Sequence, residues 1–147
     1  MSNLIYGYVA YGIILAENDD CCVPDHLMRF RTDTLSWGEG LLQYLYPEGV
    51  PEGLETVEHY IRGHQRAKFR GQWEVPLLVI KTHYGITSSA DSPGNCSDVV
   101  DAWRSEGQHW DELIAEFVRR CQSAGIEVYE TMPHFVLYLS WDDSPTT

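Results

Sequence analysis

Basic residues are scarce in this sequence. Lysine and arginine number 10, against 22 aspartate and glutamate residues, so the 147-residue chain has a formal net charge of −12 at pH 7 and a pI of about 4.7. A surface with such an excess of negative charge repels polyanions. The composition therefore argues against direct nucleic-acid binding and against attachment to an anionic membrane.

Long apolar runs are missing as well. The apolar stretch near the N-terminus, residues 4–15, falls short of the roughly 20 residues that cross a bilayer. No cationic segment precedes it, as one would in a secretory signal. We expect a cytoplasmic protein that makes no contact with a membrane.

Motifs that bind cofactors or metals are absent too. The chain has no glycine-rich phosphate-binding pattern, no nucleophile elbow, and no helical zinc or EF-hand calcium pattern. Its four cysteines, Cys21, Cys22, Cys96 and Cys121, form no C-x-x-C pair. We expect no cofactor, no metal site, and free thiols in a reducing compartment.

One combination of residues would support catalysis. Cys96 lies just before a predicted helix start, where a thiolate is stabilised, and His83 or His109 would be the imidazole that activates it. This pair defines the alternative hypothesis of a small hydrolase or transferase. A plainer interpretation stays open, because solvation and helix capping account for His109 without catalysis.

The overall composition is that of an ordinary globular protein. Hydrophobic residues make up 44% of the chain and charged residues 22%, and the length is typical of one domain. We expect a single domain over residues 1–147, with a frayed tail at 142–147.

Patterns of apolar residues predict the elements of this domain. Residues 4–15 and 75–84 are predicted strands, the first a central strand covered on both faces. Residues 126–128 and 134–141 are predicted to form a hairpin. Gly7 and Gly12 mark a bulge or a place where another group approaches the first strand closely.

Helices are predicted where apolar residues recur at three- and four-residue steps. They cover a short stretch through Leu41, Leu42 and Leu45, residues 54–67, residues 97–103 and residues 109–123. Ser36 and Glu39 supply a capping box for the first, and Cys121 falls on the apolar face of the last. The element order predicts the α+β class, with a mainly antiparallel sheet of about four strands and helices packed on one face.

The acidic charge is patterned along the chain. Residues 62–81 contain five basic residues and one acidic residue, whereas the segments on either side each carry a net charge of −8. Cations interleaved with aromatic residues are typical of single-stranded nucleic-acid grooves. The acidic flanks would repel a polyanion, so pairing of this segment with neighbouring glutamates is the favoured interpretation.

Carboxylates and aromatic residues are the candidate binding residues. The carboxylates recur in two stretches, Glu48, Glu52, Glu55 and Glu58, and then Asp98, Asp101, Asp111, Glu112 and Glu116. The aromatic residues, expected to form an exposed patch, are Trp37, Tyr44 and Tyr46. A row of carboxylates can imitate the phosphates of nucleic acid, although solubility alone also accounts for acidic residues.

These observations lead to the hypothesis of a small, acidic, non-enzymatic binding protein whose partner is a protein with a cationic surface. In its more specific form, the protein is an inhibitor of the phage or mobile-element type that mimics nucleic-acid charge. The alternatives are the Cys–His enzyme and a structural subunit of a larger assembly.

Overall fold

The computed structural model describes residues 4–17, 23–62, 72–86 and 97–142. Its elements, in chain order, are β1 (Leu4–Ile14), α1 (Asp25–Met28), α2 (Trp37–Leu45), β2 (Leu54–Arg62), β3 (Gln72–Ile86), α3 (Ser97–Ser123) and β4 (His134–Asp142). The strands form one sheet in the order β2-β3-β1-β4, and each neighbouring pair is antiparallel. The predicted α+β class and four-stranded sheet are confirmed.

Strand β1 is the central strand that its two-sided apolar pattern predicts. It pairs with β3 along one edge and with β4 along the other, and its pairing with β3 shifts register between Ala10 and Tyr11. Gly12 lies just after this irregularity. A Cβ placed on Gly12 would lie 1.9 Å from the carbonyl oxygen of Leu78, so glycine is required by the close approach of β3.

The helices cover one face of the sheet, as predicted. Tyr11, Ile13, Leu78 and Ile80 project from this helix-covered face into the main core, where they meet apolar side chains of the helices, among them Leu41, Leu45, Ile114 and Phe117. Burying each large apolar side chain contributes roughly 1.5–3 kcal/mol. The Ser36 side chain accepts a hydrogen bond from the Glu39 backbone N–H at 3.2 Å, so the predicted N-cap of α2 is present.

The opposite face of the sheet carries a second, smaller core. Ala10, Leu77, Val79, Val136 and Tyr138 are buried there, although α1, α2 and α3 pack on the other side. The edge strands β2 and β4 approach each other across this face, which makes it the concave side of a curled sheet. The curvature of the sheet therefore buries a face that the described helices leave uncovered.

A side chain joins the two edge strands of the curled sheet. The backbone N–H of Leu139 in β4 donates a hydrogen bond to Nδ1 of His59 in β2, at 3.0 Å. We call this junction the β2–β4 seam. The imidazole there takes the place of the backbone carbonyl that a neighbouring strand would offer.

The helix predicted over residues 54–67 is wrong, because residues 54–62 form strand β2. The register with β3 places Leu54 on the helix-covered face and Val57 on the concave face. A strand that contributes to two cores has apolar residues at three-residue steps, which is also a helical spacing. Residues 63–67 lie outside the described part of the chain.

Three further predictions of local structure are corrected. The short and long helices predicted over 97–103 and 109–123 are one helix, α3, which continues through a polar stretch. The predicted hairpin does not form, because β4 pairs with β1 and residues 126–128 are not a strand. Instead the N–H groups of Tyr129 and Glu130 donate to the carbonyls of Leu15 and Ile14. Asp142, placed in the tail by prediction, ends β4.

The close approach at Gly12 gives a direct test of the sheet packing. We expect Gly12→Ala to lower the free energy of unfolding by about 3 kcal/mol, because the added methyl group overpacks against the backbone of β3. The matched control is Gly53→Ala, where φ is +88° and nothing lies within 4 Å of the added Cβ. Backbone strain alone should cost that variant about 1 kcal/mol. Equal losses in urea denaturation would contradict the assigned approach.

Candidate functional site

The first group of predicted carboxylates does not form a row. Glu48 and Glu52 lie in the loop between α2 and β2, and the β2 register places Glu55 and Glu58 on opposite faces of the sheet. Glu48 accepts a hydrogen bond from the Arg120 guanidinium at 2.7 Å. That bond holds the pKa of the Glu48 carboxyl below its ordinary value. The helical spacing behind the prediction is lost because this segment is a strand.

The predicted aromatic patch is also divided. Trp37 is buried, and its indole N–H donates to the Glu58 carboxylate. Tyr46 is buried beneath the Arg120 guanidinium, which lies 4.2 Å from the ring centroid. Tyr44 alone of the three is exposed, with 59% of its surface accessible. The exposure predicted for Trp37 and Tyr46 is wrong, because both pack into the main core beside α2.

The second group of carboxylates lies along α3. Asp98, Asp101 and Glu112 are exposed and recur on the side of the helix opposite its buried residues. We call these three residues the acidic ridge. At about 1.5 Å per residue, the ridge extends over about 21 Å.

Ion pairs reduce the negative charge at the C-terminal end of α3. Glu116 accepts hydrogen bonds from Arg119 and Arg120, the latter at 2.9 Å from Nε. Nearer the N-terminus, Arg104 contacts Asp101 at 3.5 Å. Residues 97–112 contain five acidic residues and one basic residue, so the net charge of this half is −4. The acidic ridge therefore lies in the half of α3 that keeps most of its negative charge.

Beside this half of α3 lies an apolar cluster that the sequence analysis missed. Trp103, Phe135 and Leu137 are 38%, 40% and 68% exposed, and we call them the aromatic patch. The rings of Trp103 and Phe135 lie 5.6 Å apart, and Tyr11 packs 5.2 Å from Phe135. In the sequence of β4, apolar residues occupy the alternating positions of both faces. This pattern was the sequence signal that one apolar face of β4 is not fully buried.

A hydrogen bond connects Tyr11, which packs against the aromatic patch, to Asp111 of α3. The Tyr11 hydroxyl donates to the Asp111 carboxylate at 2.7 Å. Burial, followed by this hydrogen bond, raises the pKa of Tyr11, so the hydroxyl stays protonated as the donor at neutral pH. Asp111 is thereby fixed at the border of the aromatic patch.

A second acidic feature lies on the helix-covered face of the sheet. A cavity of about 470 Å³ is lined by the loop 31–36, Trp37 and the carboxylates of Glu58 and Glu74. Burial, followed by the charge of Glu58, raises the pKa of Glu74. Two neighbouring carboxylates in an open cleft suit hydrogen bonding to an ammonium or guanidinium group.

The predicted Cys–His pair cannot be assembled from the described residues. Cys96 lies outside them, and for His83 the structure describes only its place in β3. His109 is exposed on α3. Cys121 is buried as predicted, and burial raises the pKa of its thiol to about 12, which keeps it protonated and unreactive at neutral pH.

Metal and membrane sites were also sought. Within the described ranges, no three His, Cys, Asp or Glu side chains are placed to hold a metal ion. None of the helices described here is long and apolar enough to cross a membrane. Comparison of the chain with protein-family models, curated proteins and solved structures finds no match.

The seam histidine predicts a pH dependence of stability. Burial lowers the pKa of His59 from its ordinary value of 6.5, so the unfolded chain binds a proton more readily than the folded one. The stabilisation is complete above pH 6.5 and is lost as the pH falls through the folded pKa. We expect the free energy of unfolding to fall more between pH 7 and pH 5 in wild type than in His59→Gln.

Other titratable groups near the seam also change the stability with pH, so the pH profile of wild type is compared with that of His59→Gln. Glu55 shares the concave face with His59, and His134 and Glu130 lie across the seam. The pKa of His134 is raised, first by the Phe135 carbonyl and then by Glu130, so its contribution has the opposite sign. These groups are common to both proteins. Identical pH profiles for wild type and variant would contradict a neutral, partly buried His59.

Proposed function

We propose that the protein is a small, non-enzymatic binding protein that recognises a protein partner with a cationic surface. The observation that supports this most strongly is the exposed aromatic patch beside the acidic half of α3, with the Asp111 carboxylate at its border. Exposed apolar residues with a carboxylate at their rim are components of a protein interface, and the acidic ridge on the outward side of α3 adds negative charge nearby.

The aromatic patch supplies the apolar part of this interface. Trp and Phe bury large areas on association and account for a disproportionate share of binding energy when they sit at an interface centre. Leu137 extends the patch along β4, where α3 leaves it 68% exposed. Tyr11 packs against both Trp103 and Phe135, so the patch is preorganised and loses little side-chain entropy on binding.

The acidic ridge supplies selectivity. Its charges attract a basic surface over distances of about 10 Å at ordinary salt concentrations and raise the rate of association. Asp111 borders the aromatic patch through Tyr11, so negative charge also lies near the apolar contacts. A partner with basic residues around an apolar socket would complement both features.

The finer form of the proposal is that the protein inhibits a nucleic-acid-binding protein of a phage or mobile element. The ridge is a linear array about 21 Å long at the rise of an α-helix, comparable with about six base pairs of DNA at 3.4 Å each. Such an array can occupy a groove that normally binds phosphates. This form requires that nucleic acid and the protein compete for the same partner.

The experiment combines affinity capture with two matched pairs of variants. Partners are captured at 50 mM and 300 mM salt and identified, and their dissociation constants are measured. Leu137→Ser tests the patch, and Tyr44→Ser, a change at a comparably exposed side chain on α2, is its control. We expect Leu137→Ser to weaken binding by at least tenfold and Tyr44→Ser to leave it unchanged.

The charge variant removes the ridge without changing the patch. Asp98→Asn, Asp101→Asn and Glu112→Gln together should weaken binding about tenfold at 50 mM salt and remove most of its salt dependence. The control neutralises Glu17, Asp33 and Glu127, which are exposed elsewhere. Equal effects of the two triple variants, or binding that is independent of salt, would contradict a role for the acidic ridge in binding the partner. If the only protein captured is a further copy of this chain, the result would favour the alternative of a subunit of a larger assembly.

A further inference from the structure

The β2–β4 seam contains a cavity of about 360 Å³. Its volume falls within the range of natural small-molecule sites, roughly 300–1,000 Å³. The lining is mainly aliphatic and includes two imidazoles and one phenyl ring: Ile14, Val75, Leu77, Val136, Leu137, His59, His134 and Phe135. Phe135 and Leu137 also belong to the aromatic patch, so the cavity borders that patch. The cavity is separate from the acidic ridge.

His59 presents one hydrogen-bond donor at this cavity. Its Nδ1 accepts the Leu139 N–H at 3.0 Å, so the neutral ring carries its proton on Nε2. Among the residues that the structure describes, none accepts a hydrogen bond from that Nε2–H. The donor is therefore oriented by the seam and available to a ligand, in surroundings that are otherwise aliphatic.

His134, the second imidazole, is already paired. Nε2 of its ring lies 2.9 Å from the Glu130 carboxylate and Nδ1 lies 3.0 Å from the Phe135 carbonyl. Both partners are acceptors, which favours the imidazolium form and raises the pKa of His134, and Glu130 balances the charge of that form. The same Glu130 oxygen accepts the Ile14 N–H at 2.7 Å, which fixes the pair. The cavity therefore offers no net charge to a ligand.

We propose that the seam cavity binds a small, uncharged apolar molecule that carries one hydrogen-bond acceptor, such as a medium-chain ketone or aldehyde. The alkyl part packs against Val75, Leu77 and Val136, and the carbonyl oxygen accepts the His59 Nε2–H. An anionic ligand is disfavoured, because the cavity lacks an unpaired cation to balance it and the whole chain carries a net charge of −12.

The probe for this site is 2-octanone, titrated into the full chain and followed by NMR at pH 7. We expect shift changes at the methyl groups of Ile14, Val75, Leu77 and Val136 and at Nε2 of His59, with a dissociation constant on the order of 1 mM or tighter for nine heavy atoms. Octanoate, with the same number of carbons and a negative charge, should bind at least fivefold more weakly.

Two variants separate filling of the cavity from loss of the donor. Val75→Phe should weaken 2-octanone binding at least tenfold by occupying the cavity, while Val50→Phe, in the exposed loop before β2, is the control and should bind like wild type. His59→Phe should weaken binding at least fivefold. His59→Gln should recover most of it, because an amide also offers an acceptor oxygen and N–H donors.

Three results would overturn this inference. One is a set of shift changes centred on Trp103, which does not line the cavity, because this would mean adsorption to the exposed aromatic patch. Another is octanoate binding as tightly as 2-octanone. The third is equal affinity in Val75→Phe and Val50→Phe. Since these measurements use wild-type protein as well as variants, a variant that fails to fold leaves the octanoate comparison and the shift map decisive.

Discussion

The curl of the four-stranded sheet determines where both cores and both candidate sites lie. One face of the sheet packs against α2 and α3, whereas the other buries Ala10, Val79 and Tyr138 through its own curvature. Curling brings β2 and β4 together, and the hydrogen bond from the Leu139 N–H to His59 joins them. Without this closure the second core would face water on a flat sheet, and its apolar residues would contribute little to stability.

Both candidate sites follow from this arrangement. The helix α3 is fixed at its C-terminal end by Arg120, which donates to the Leu45 carbonyl at 2.7 Å and pairs with Glu48 and Glu116. Beside the N-terminal half of α3, the helix-covered face of the sheet is only partly covered at β4, so Phe135 and Leu137 are exposed there. On the concave side, a seam closed by a side chain in place of a continuous ladder leaves space for a cavity between its edges.

Sequence patterns predicted the elements whose burial is one-sided or complete, and failed where burial is mixed. The apolar residues Ile114, Phe117 and Cys121 recur at a spacing that fits a helix and not a strand. In β1, apolar residues on both faces give the pattern of a central strand. Strand β2 contributes side chains to both cores, so its apolar residues recur at the three-residue steps that are also typical of a helix. The aromatic patch and the His59–Leu139 contact join residues far apart in sequence, 80 residues in the second case. Local periodicity carries no information about such pairs.

Hydrogen exchange of the Leu139 amide reports whether His59 closes the sheet at the seam. The Leu139 amide should be protected at pH 7, and His59→Leu should accelerate its exchange at least tenfold after correction for intrinsic rates. The Tyr138 amide, which points toward β1 because successive residues alternate in an antiparallel pair, should change much less. Exchange of the Leu139 amide at its intrinsic rate in wild type, or equal acceleration of both amides, would contradict closure of the sheet through His59.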